Sequence, residues 1–131
     1  MRTVFVVDDD LLMRETLTRL LQRNEYRVRS FPSPSRALPL IDSGYPDAIV
    51  TDHQMPGMTG IGFARCLKER NLAIPLLMVT GTPGVELEEE ALSAGVVQVF
   101  KKPLKDTRGL VFSLERAIAD HDETSRNTGL D

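Results

Sequence analysis

Near its amino terminus the chain reads Thr3-Val4-Phe5-Val6-Val7-Asp8-Asp9-Asp10. The unbroken apolar run from Val4 to Val7 predicts a strand covered on both faces, because a half-exposed strand would alternate apolar and polar residues. Such strands are typical of parallel sheets with helices packed on both sides. Three acidic residues follow directly where this strand ends. The stretch therefore predicts a parallel sheet with negative charge at one of its edges.

Four more strand candidates follow, and helical patterns separate them. The five strands are predicted at residues 3–8, 26–31, 47–52, 75–80 and 96–100. The helices are predicted from an N-cap at residue 10 through residue 21, from residue 33 to near residue 44, over 59–70, from near 84 to before 95, and from 106 to about 120. Strict alternation with short connections predicts an α/β domain in which a five-stranded parallel sheet is doubly wound with five helices.

Length and composition are typical of one globular domain. The chain has 131 residues, 41% of them hydrophobic and 27% charged, and no apolar run approaches the roughly 18 residues of a membrane span. No signal-peptide pattern follows Met1, and Cys66 is the only cysteine, as expected in a reducing compartment. The net charge of −3 gives no general attraction to nucleic acid. We therefore expect a cytoplasmic domain that binds neither a membrane nor DNA directly.

Reactive side chains stand at the ends of four predicted strands. Asp8 and Asp9 follow the first strand, Asp52 ends the third, Thr80 ends the fourth, and Lys102 follows the fifth. Ligands of open α/β sheets bind beyond the carboxyl ends of the strands, so these side chains are expected to form one site. Each residue alone also has an ordinary explanation as a helix cap, a turn or a strand end. The prediction of a site therefore rests on the whole set.

The chemistry of this set favours a metal ion and a phosphoryl group. Clustered carboxylates raise one another's pKa unless a hard cation with oxygen ligands neutralises them. Mg²⁺ suits the cluster because it binds one or two carboxylates, several waters and phosphate oxygens. A lysine amine and a threonine hydroxyl would neutralise and hydrogen-bond the oxygens of a phosphoryl group in transfer. The nucleophile is then expected to be a carboxylate.

Four motifs resemble the receiver domain of two-component response regulators. They are Val6-Val7-Asp8-Asp9, Asp52-His53-Gln54-Met55-Pro56-Gly57-Met58, Val79-Thr80-Gly81 and Lys102-Pro103. The resemblance covers residues 3–120 and implies a flavodoxin-like sheet with strand order 2-1-3-4-5. It also implies a receiver domain over residues 1–120, followed by a polar tail or the start of a linker over residues 121–131.

The resemblance further implies a phosphorylation switch in a phosphorelay. Asp52 would accept a phosphoryl group from a sensor histidine kinase, a phosphotransfer protein or a small phosphodonor, and would later lose it to water. The implied Mg²⁺ ligands are Asp9, Asp8 largely through water, Asp52 and the backbone carbonyl of Gln54, while Thr80 and Lys102 would contact the phosphoryl oxygens. A cis Lys102-Pro103 peptide is implied as well. The chain would then be a signalling protein and not a metabolic enzyme.

One position departs from the pattern of that family. Its switching mechanism turns an aromatic side chain three residues before the lysine, and this chain has Val99 there. Phe100 is adjacent, but alternation along a strand predicts that it faces the opposite side, as a core residue. We therefore expect altered conformational output with phosphorylation chemistry intact. The side chains of Gln54 and Thr82 are expected to border the path of the hydrolytic water, and His53 is expected to be a surface loop residue. A homodimer through the fourth helix, fifth strand and fifth helix is a further expectation.

Two other functions stay open at this point. The pattern Asp8-x-Asp10 with Thr80 fits part of a haloacid dehalogenase-type phosphatase, but that function leaves Asp52 unexplained. A receiver-like module that no longer takes a phosphoryl group and binds partners constitutively would agree with Val99, although the complete acidic set argues against it.

Overall fold

The computed structural model describes residues 1–129, with side chains described through residue 124. Its strands are β1 (Thr3–Val7), β2 (Arg27–Phe31), β3 (Ala48–Asp52), β4 (Leu76–Thr80) and β5 (Gln98–Lys101). Its helices are α1 (Leu11–Arg23), α2 (Pro34–Ala37), α3 (Gly60–Glu69), α4 (Val85–Ser93) and α5 (Thr107–Gly129). Every predicted strand and helix is present, with small shifts at most of the ends.

The five strands form one parallel sheet in the order β2-β1-β3-β4-β5, as predicted. The register aligns the carboxyl ends of the central strands, because Val7 pairs with Thr51 and Asp52 pairs with Val79. Thr80 pairs with Lys101 on the edge strand β5. The residues that follow these strands are therefore delivered to the same edge of the sheet.

Helices cover both faces of the sheet and enclose two apolar layers. One layer lies beneath α2, α3 and α4 and includes Phe5, Phe63 and Met78. The other lies beneath α1 and α5 and includes Leu17 and Leu114. Complete burial of a side chain of this size contributes about 1.5–3 kcal/mol, so both layers stabilise the sheet beneath its carboxyl edge.

The side chains of Val99 and Phe100 point to opposite faces of β5. Phe100 is buried in the layer beneath α1 and α5, whereas Val99 is half-buried against the layer beneath α2, α3 and α4. The prediction that Phe100 is a core residue on the other face is therefore confirmed.

The second helix is shorter than predicted. It was expected to close near Gly44, but α2 ends at Ala37 and only a 3₁₀ turn over Leu38–Leu40 follows. Pro39 lies inside that turn, and a proline has no N–H with which to continue a helical ladder. Gly44 instead adopts φ +91 in a turn closed by a bridge between Asp42 and Tyr45.

The last helix is longer than predicted. It was expected to end at about Asp120, yet α5 continues to Gly129, so most of the expected polar tail is helical. Residues 121–128 contain neither glycine nor proline, and Arg2 forms an ion pair with Asp122 at the base of the domain. The last two residues of the expected tail, 130 and 131, lie outside the described residues. No helix within residues 1–129 is both long and apolar enough to cross a membrane.

Candidate functional site

Three acidic side chains meet at the carboxyl edge of the sheet. Asp8 and Asp9 follow β1 and Asp52 ends β3, and one carboxylate oxygen from each lies within 4.8 Å of the others. Asp8 is fully buried and Asp52 is 7% exposed, whereas Asp9 faces solvent. This grouping is a possible cation site that opens to water on the side of Asp9.

The buried Asp8 carboxylate is held by hydrogen bonds on both of its oxygens. Its Oδ1 accepts a bond of 2.9 Å from the Asp10 N–H, and its Oδ2 accepts one of 2.9 Å from Lys102 Nζ. Arg14 Nη1 donates to the Asp8 main-chain carbonyl at 2.8 Å. Removing a carboxylate from water costs several kcal/mol unless partners compensate, and the two contacts to its oxygens fix its position.

The contacts of Asp52 fall on one oxygen. Its Oδ1 accepts a hydrogen bond of 2.7 Å from the His53 N–H and lies 3.3 Å from Lys102 Nζ. Within the described part of the chain, Oδ2 takes part in no hydrogen bond or ion pair. The carboxylate is thus oriented by one oxygen while the other stays available to a ligand or a reacting group.

Burial and charge act in opposite directions on Asp52. Desolvation raises the pKa of the Asp52 carboxyl, and the negative charge of Asp8 raises it further. The charge of Lys102 and the His53 N–H oppose this shift, but the net effect is upward. In the absence of a cation the ionised form of Asp52 is therefore penalised.

Lys102 connects the two buried carboxylates. Burial alone would lower the pKa of its amine, but the hydrogen bond and charge of Asp8, followed by the charge of Asp52, outweigh it and raise the pKa. The Lys102-Pro103 peptide is cis, as the resemblance implied. The amine is accordingly a stable cation that lies between Asp8 and Asp52.

Thr80 reaches the same edge from β4. It is fully buried, and its hydroxyl oxygen accepts a hydrogen bond of 3.3 Å from the Thr82 N–H. The Lys102 N–H donates to the Thr80 carbonyl at 2.8 Å, which ties the end of β4 to the segment after β5. Since its oxygen is the acceptor in that contact, the Thr80 hydroxyl proton is free to be donated elsewhere.

Two exposed side chains join the loops that border the site. Gln54 Nε2 donates to Thr82 Oγ1 over 3.4 Å, which links the loop after β3 to the loop after β4. Both residues are exposed. This contact forms a polar rim beside Asp52.

Several features near the site were not predicted from the sequence. A Cβ at Gly60 would lie 2.4 Å from the Asp52 carbonyl oxygen. Its N–H donates to the His53 carbonyl at 2.8 Å, so glycine lets α3 pack directly against the end of β3. His53, expected at the surface, is half-buried, and its Nδ1 is buried without a hydrogen-bond partner among the described residues. The contact of Arg14 with the main-chain carbonyl of Asp8 was not predicted either. The signal for it in the sequence was a basic residue one helical turn after the acidic residues that end the first strand.

The chain matches the family model of the response regulator receiver domain over residues 4–112. It belongs to the response regulator receiver family. This receiver domain is 33% identical over 115 residues to the transcriptional regulatory protein FixJ of Rhizobium meliloti strain 1021, a match that covers 88% of this chain and 56% of that protein. It is 35% identical over 116 residues to the response regulator MprA of Mycolicibacterium vanbaalenii, covering 88% and 47% of the two chains.

Solved receiver structures agree with this assignment. The crystal structure described as FixJ-N superposes with a TM-score of 0.78 at 31% identity, covering 91% of this chain and 94% of that one. The chain spans about half the length of the curated relatives it matches. It is therefore a signalling domain of two-component response regulators rather than a metabolic enzyme, and a haloacid dehalogenase-type phosphatase is not favoured.

Proposed function

We propose that the receiver domain accepts a phosphoryl group on Asp52 and thereby switches between two signalling states. The donor would be the phosphohistidine of a sensor histidine kinase or a phosphotransfer protein, or a small phosphodonor. The single observation that carries the proposal is the position of the Asp52 carboxylate, which lies beside two further acids and 3.3 Å from Lys102 Nζ. An amine and a possible cation site therefore flank the Asp52 carboxylate, as a reaction with a phosphoryl anion requires.

The donor set fits Mg²⁺. Its oxygens come from Asp8, Asp9 and Asp52, and the exposed position of Asp9 leaves room for the waters that Mg²⁺ retains. We propose the backbone carbonyl of Gln54 as a further ligand. The raised pKa of Asp52 supports the fit, because a nearby divalent charge would favour the ionised nucleophile. When bound, Mg²⁺ would neutralise charge on the phosphoryl oxygens and on the carboxylates.

The chain's own side chains then have separate roles in the transfer. An oxygen of Asp52 attacks phosphorus in line, a P–O bond forms, and the P–N bond of the donor breaks with its electron pair returning to the imidazole nitrogen. Lys102 Nζ, already between the two buried carboxylates, is placed to neutralise a phosphoryl oxygen. The Thr80 hydroxyl donates its proton to another phosphoryl oxygen. Gln54 and Thr82 would border the water that later hydrolyses the acyl phosphate, as their contact at the rim supports.

The proposal extends to the setting of the domain. We assign the receiver to residues 1–120 and residues 121–131 to a polar tail or the start of a linker, and we propose a cytoplasmic location without direct contact to DNA or a membrane. A second copy of the domain is a candidate partner at the face formed by α4, β5 and α5. Three apolar side chains are exposed on α4 and next to β5, namely Val85, Leu92 and Val97.

Val99 favours one alternative, a receiver fold that binds its partners constitutively. A half-buried valine offers no ring that could turn inward when Asp52 is modified. The two functions differ in whether Asp52 takes a phosphoryl group and thereby changes the face formed by α4, β5 and α5.

An NMR titration with beryllofluoride, which mimics the phosphoryl group, and Mg²⁺ tests the proposal. We expect saturable amide shifts at Asp52, Thr80 and Lys102, with smaller shifts in α4 and β5. The variant Asp52→Asn is the control and should not respond. No response in either protein would support the constitutive module, and an identical response of both proteins would contradict phosphoryl acceptance at Asp52.

A further inference from the structure

The outer edge of β2 is an unpaired strand edge. β2 is the first strand of the sheet and pairs only with β1 among the described residues. The Arg27 N–H donates to the Arg2 carbonyl at 2.8 Å, and the Phe31 carbonyl accepts from the Asp8 N–H at 3.1 Å. Since hydrogen-bonding direction alternates along a strand, Val28 and Ser30 present their N–H and carbonyl groups away from the sheet.

Arginine side chains flank this free edge. Arg27 and Arg29 are exposed and project from the same face of β2, because they are two residues apart. The Arg29 guanidinium lies 5.7 Å from the centre of the Phe31 ring, which limits its orientations. Exposed Arg36 extends the positive charge onto α2. Within residues 1–124, none of these three arginines forms an ion pair.

The surrounding sequence is basic although the chain as a whole is acidic. Residues 11–40 contain six arginines and two glutamates, whereas the net charge of the chain is −3. Both of those glutamates, Glu15 and Glu25, are exposed and lie on α1 and the turn before β2. The segment that contains β2 is therefore more positive than the chain as a whole.

We propose that the outer edge of β2 binds an extended acidic segment of a partner protein as an added strand. The outward N–H and carbonyl groups of Val28 and Ser30 would hydrogen-bond to its backbone. Carboxylates at alternate positions of that segment would lie beside Arg27 and Arg29, because side chains on neighbouring strands pair across the ladder. Guanidinium groups suit this role since their planar fork matches a carboxylate with two parallel hydrogen bonds.

The same residues disfavour other occupants of this edge. A second copy of the chain pairing through β2 would bring the arginines of both copies together, and like charges across a ladder are destabilising. The phosphates of a nucleic acid duplex would interact with the arginines, but a duplex would not form a strand ladder with the outward N–H and carbonyl groups of β2. Charged side chains on an edge strand oppose pairing with arbitrary strands. Because the charges on β2 are positive, a strand with acidic side chains is the one that can pair there.

A designed peptide tests the proposal. The probe has the sequence Thr-Glu-Val-Glu-Val-Glu-Thr, with lysine in place of glutamate in the control peptide, and binding to the full chain is followed by amide NMR at low salt. We expect the acidic peptide to shift the Val28 and Ser30 amides in a saturable manner, with an affinity that falls as salt is added. The lysine peptide should cause no such shifts.

Two kinds of variant separate backbone pairing from charge. Ser30→Pro removes one outward N–H without touching the bonds to β1, so it should weaken binding roughly tenfold, the effect of one lost hydrogen bond to a charged or well-ordered partner. Arg27→Gln with Arg29→Gln should weaken binding at least as much, whereas Arg116→Gln on exposed α5 should leave it unchanged. Far-UV circular dichroism checks that each variant is folded.

Three results would overturn the proposal. The first is peptide binding that leaves the Val28 and Ser30 amides unmoved, and the second is unchanged affinity in Ser30→Pro. The third is displacement of the peptide by an equal charge concentration of a DNA duplex, which would indicate a nucleic acid surface instead. None of these measurements depends on Asp52, so the outcome is independent of the proposed phosphorylation.

Discussion

At the scale of single residues, the charge state of Asp52 is set by its neighbours. Burial and Asp8 raise the pKa of its carboxyl, while Lys102 and the His53 N–H only partly offset them. The folded protein therefore holds a proton on Asp52 more tightly than the unfolded chain does. By linkage, this group lowers the free energy of unfolding as pH rises through the range between its unfolded and folded pKa values.

The variant Asp52→Asn should consequently be more stable than the wild type at neutral pH in metal-free buffer. Asparagine cannot ionise, so the penalty of a buried negative charge disappears. The advantage should shrink as pH falls through the range between the folded and unfolded pKa values, and it should vanish below the ordinary pKa of an aspartate, where Asp52 is protonated in both states. Urea unfolding at a series of pH values in the presence of a chelator measures the difference in the free energy of unfolding between variant and wild type. The control is Asp120→Asn, at an exposed position of α5. A variant that is less stable than wild type at neutral pH would contradict this explanation.

Gly60 is a second residue whose role comes from one contact. In Gly60→Ala the new Cβ would lie 2.4 Å from the Asp52 carbonyl and 3.0 Å from Met78 Sδ, so α3 must shift away from β3. We expect a loss of about 1–3 kcal/mol in the free energy of unfolding, the usual cost of overpacking. Gly84→Ala is the matched control because a Cβ there meets nothing within 4 Å. Equal unfolding midpoints for the two variants would show that the close approach has no energetic effect.

At the scale of elements, the sequence predicts strands well and some helix ends poorly. Short apolar runs rich in β-branched residues, such as Val4 to Val7, are typical of covered strands, and the predicted sheet order is observed. The length of α5 was underestimated because residues 121–129 carry no apolar face, and the ion pair between Arg2 and Asp122 joins positions far apart in sequence. The predicted topology was enough to place Asp8, Asp9 and Asp52 at one edge of the sheet. The close packing of Gly60 could not be predicted in this way, because it depends on how closely α3 approaches β3.

The contact between Arg2 and Asp122 should anchor the far end of α5. Replacing Asp122 with asparagine removes this ion pair, so amides of residues 121–124 should exchange with solvent several-fold faster. The free energy of unfolding should change by less than about 1 kcal/mol, because the pair is largely exposed. The effect is measured by comparing hydrogen exchange of this variant with that of Glu123→Gln, in which a nearby exposed carboxylate is neutralised. Unchanged protection at residues 121–124 would mean that α5 continues without help from Arg2.

At the scale of the whole molecule, ligand binding at the acidic edge should be visible as global stability. A ligand that binds only the folded state at a hundred times its Kd adds about 2.7 kcal/mol to the free energy of unfolding. Mg²⁺ should therefore raise the unfolding midpoint of the wild type, and the midpoint of Asp9→Asn should rise much less. Asp10→Asn is the matched control, because Asp10 caps α1 outside the acidic group and asparagine caps equally well. Equal Mg²⁺ responses in Asp9→Asn and Asp10→Asn would exclude Asp9 as a ligand.

The most direct measurement is the intact mass of the protein after incubation with acetyl phosphate and Mg²⁺. We expect the wild type to gain the mass of one phosphoryl group, to lose it again after the donor is removed, and to remain unmodified when a chelator is present. Asp52→Asn should gain no mass under the same conditions. Modification of Asp52→Asn to the same extent, or an unmodified wild type at saturating donor and Mg²⁺, would contradict the proposal that Asp52 is the phosphoryl acceptor.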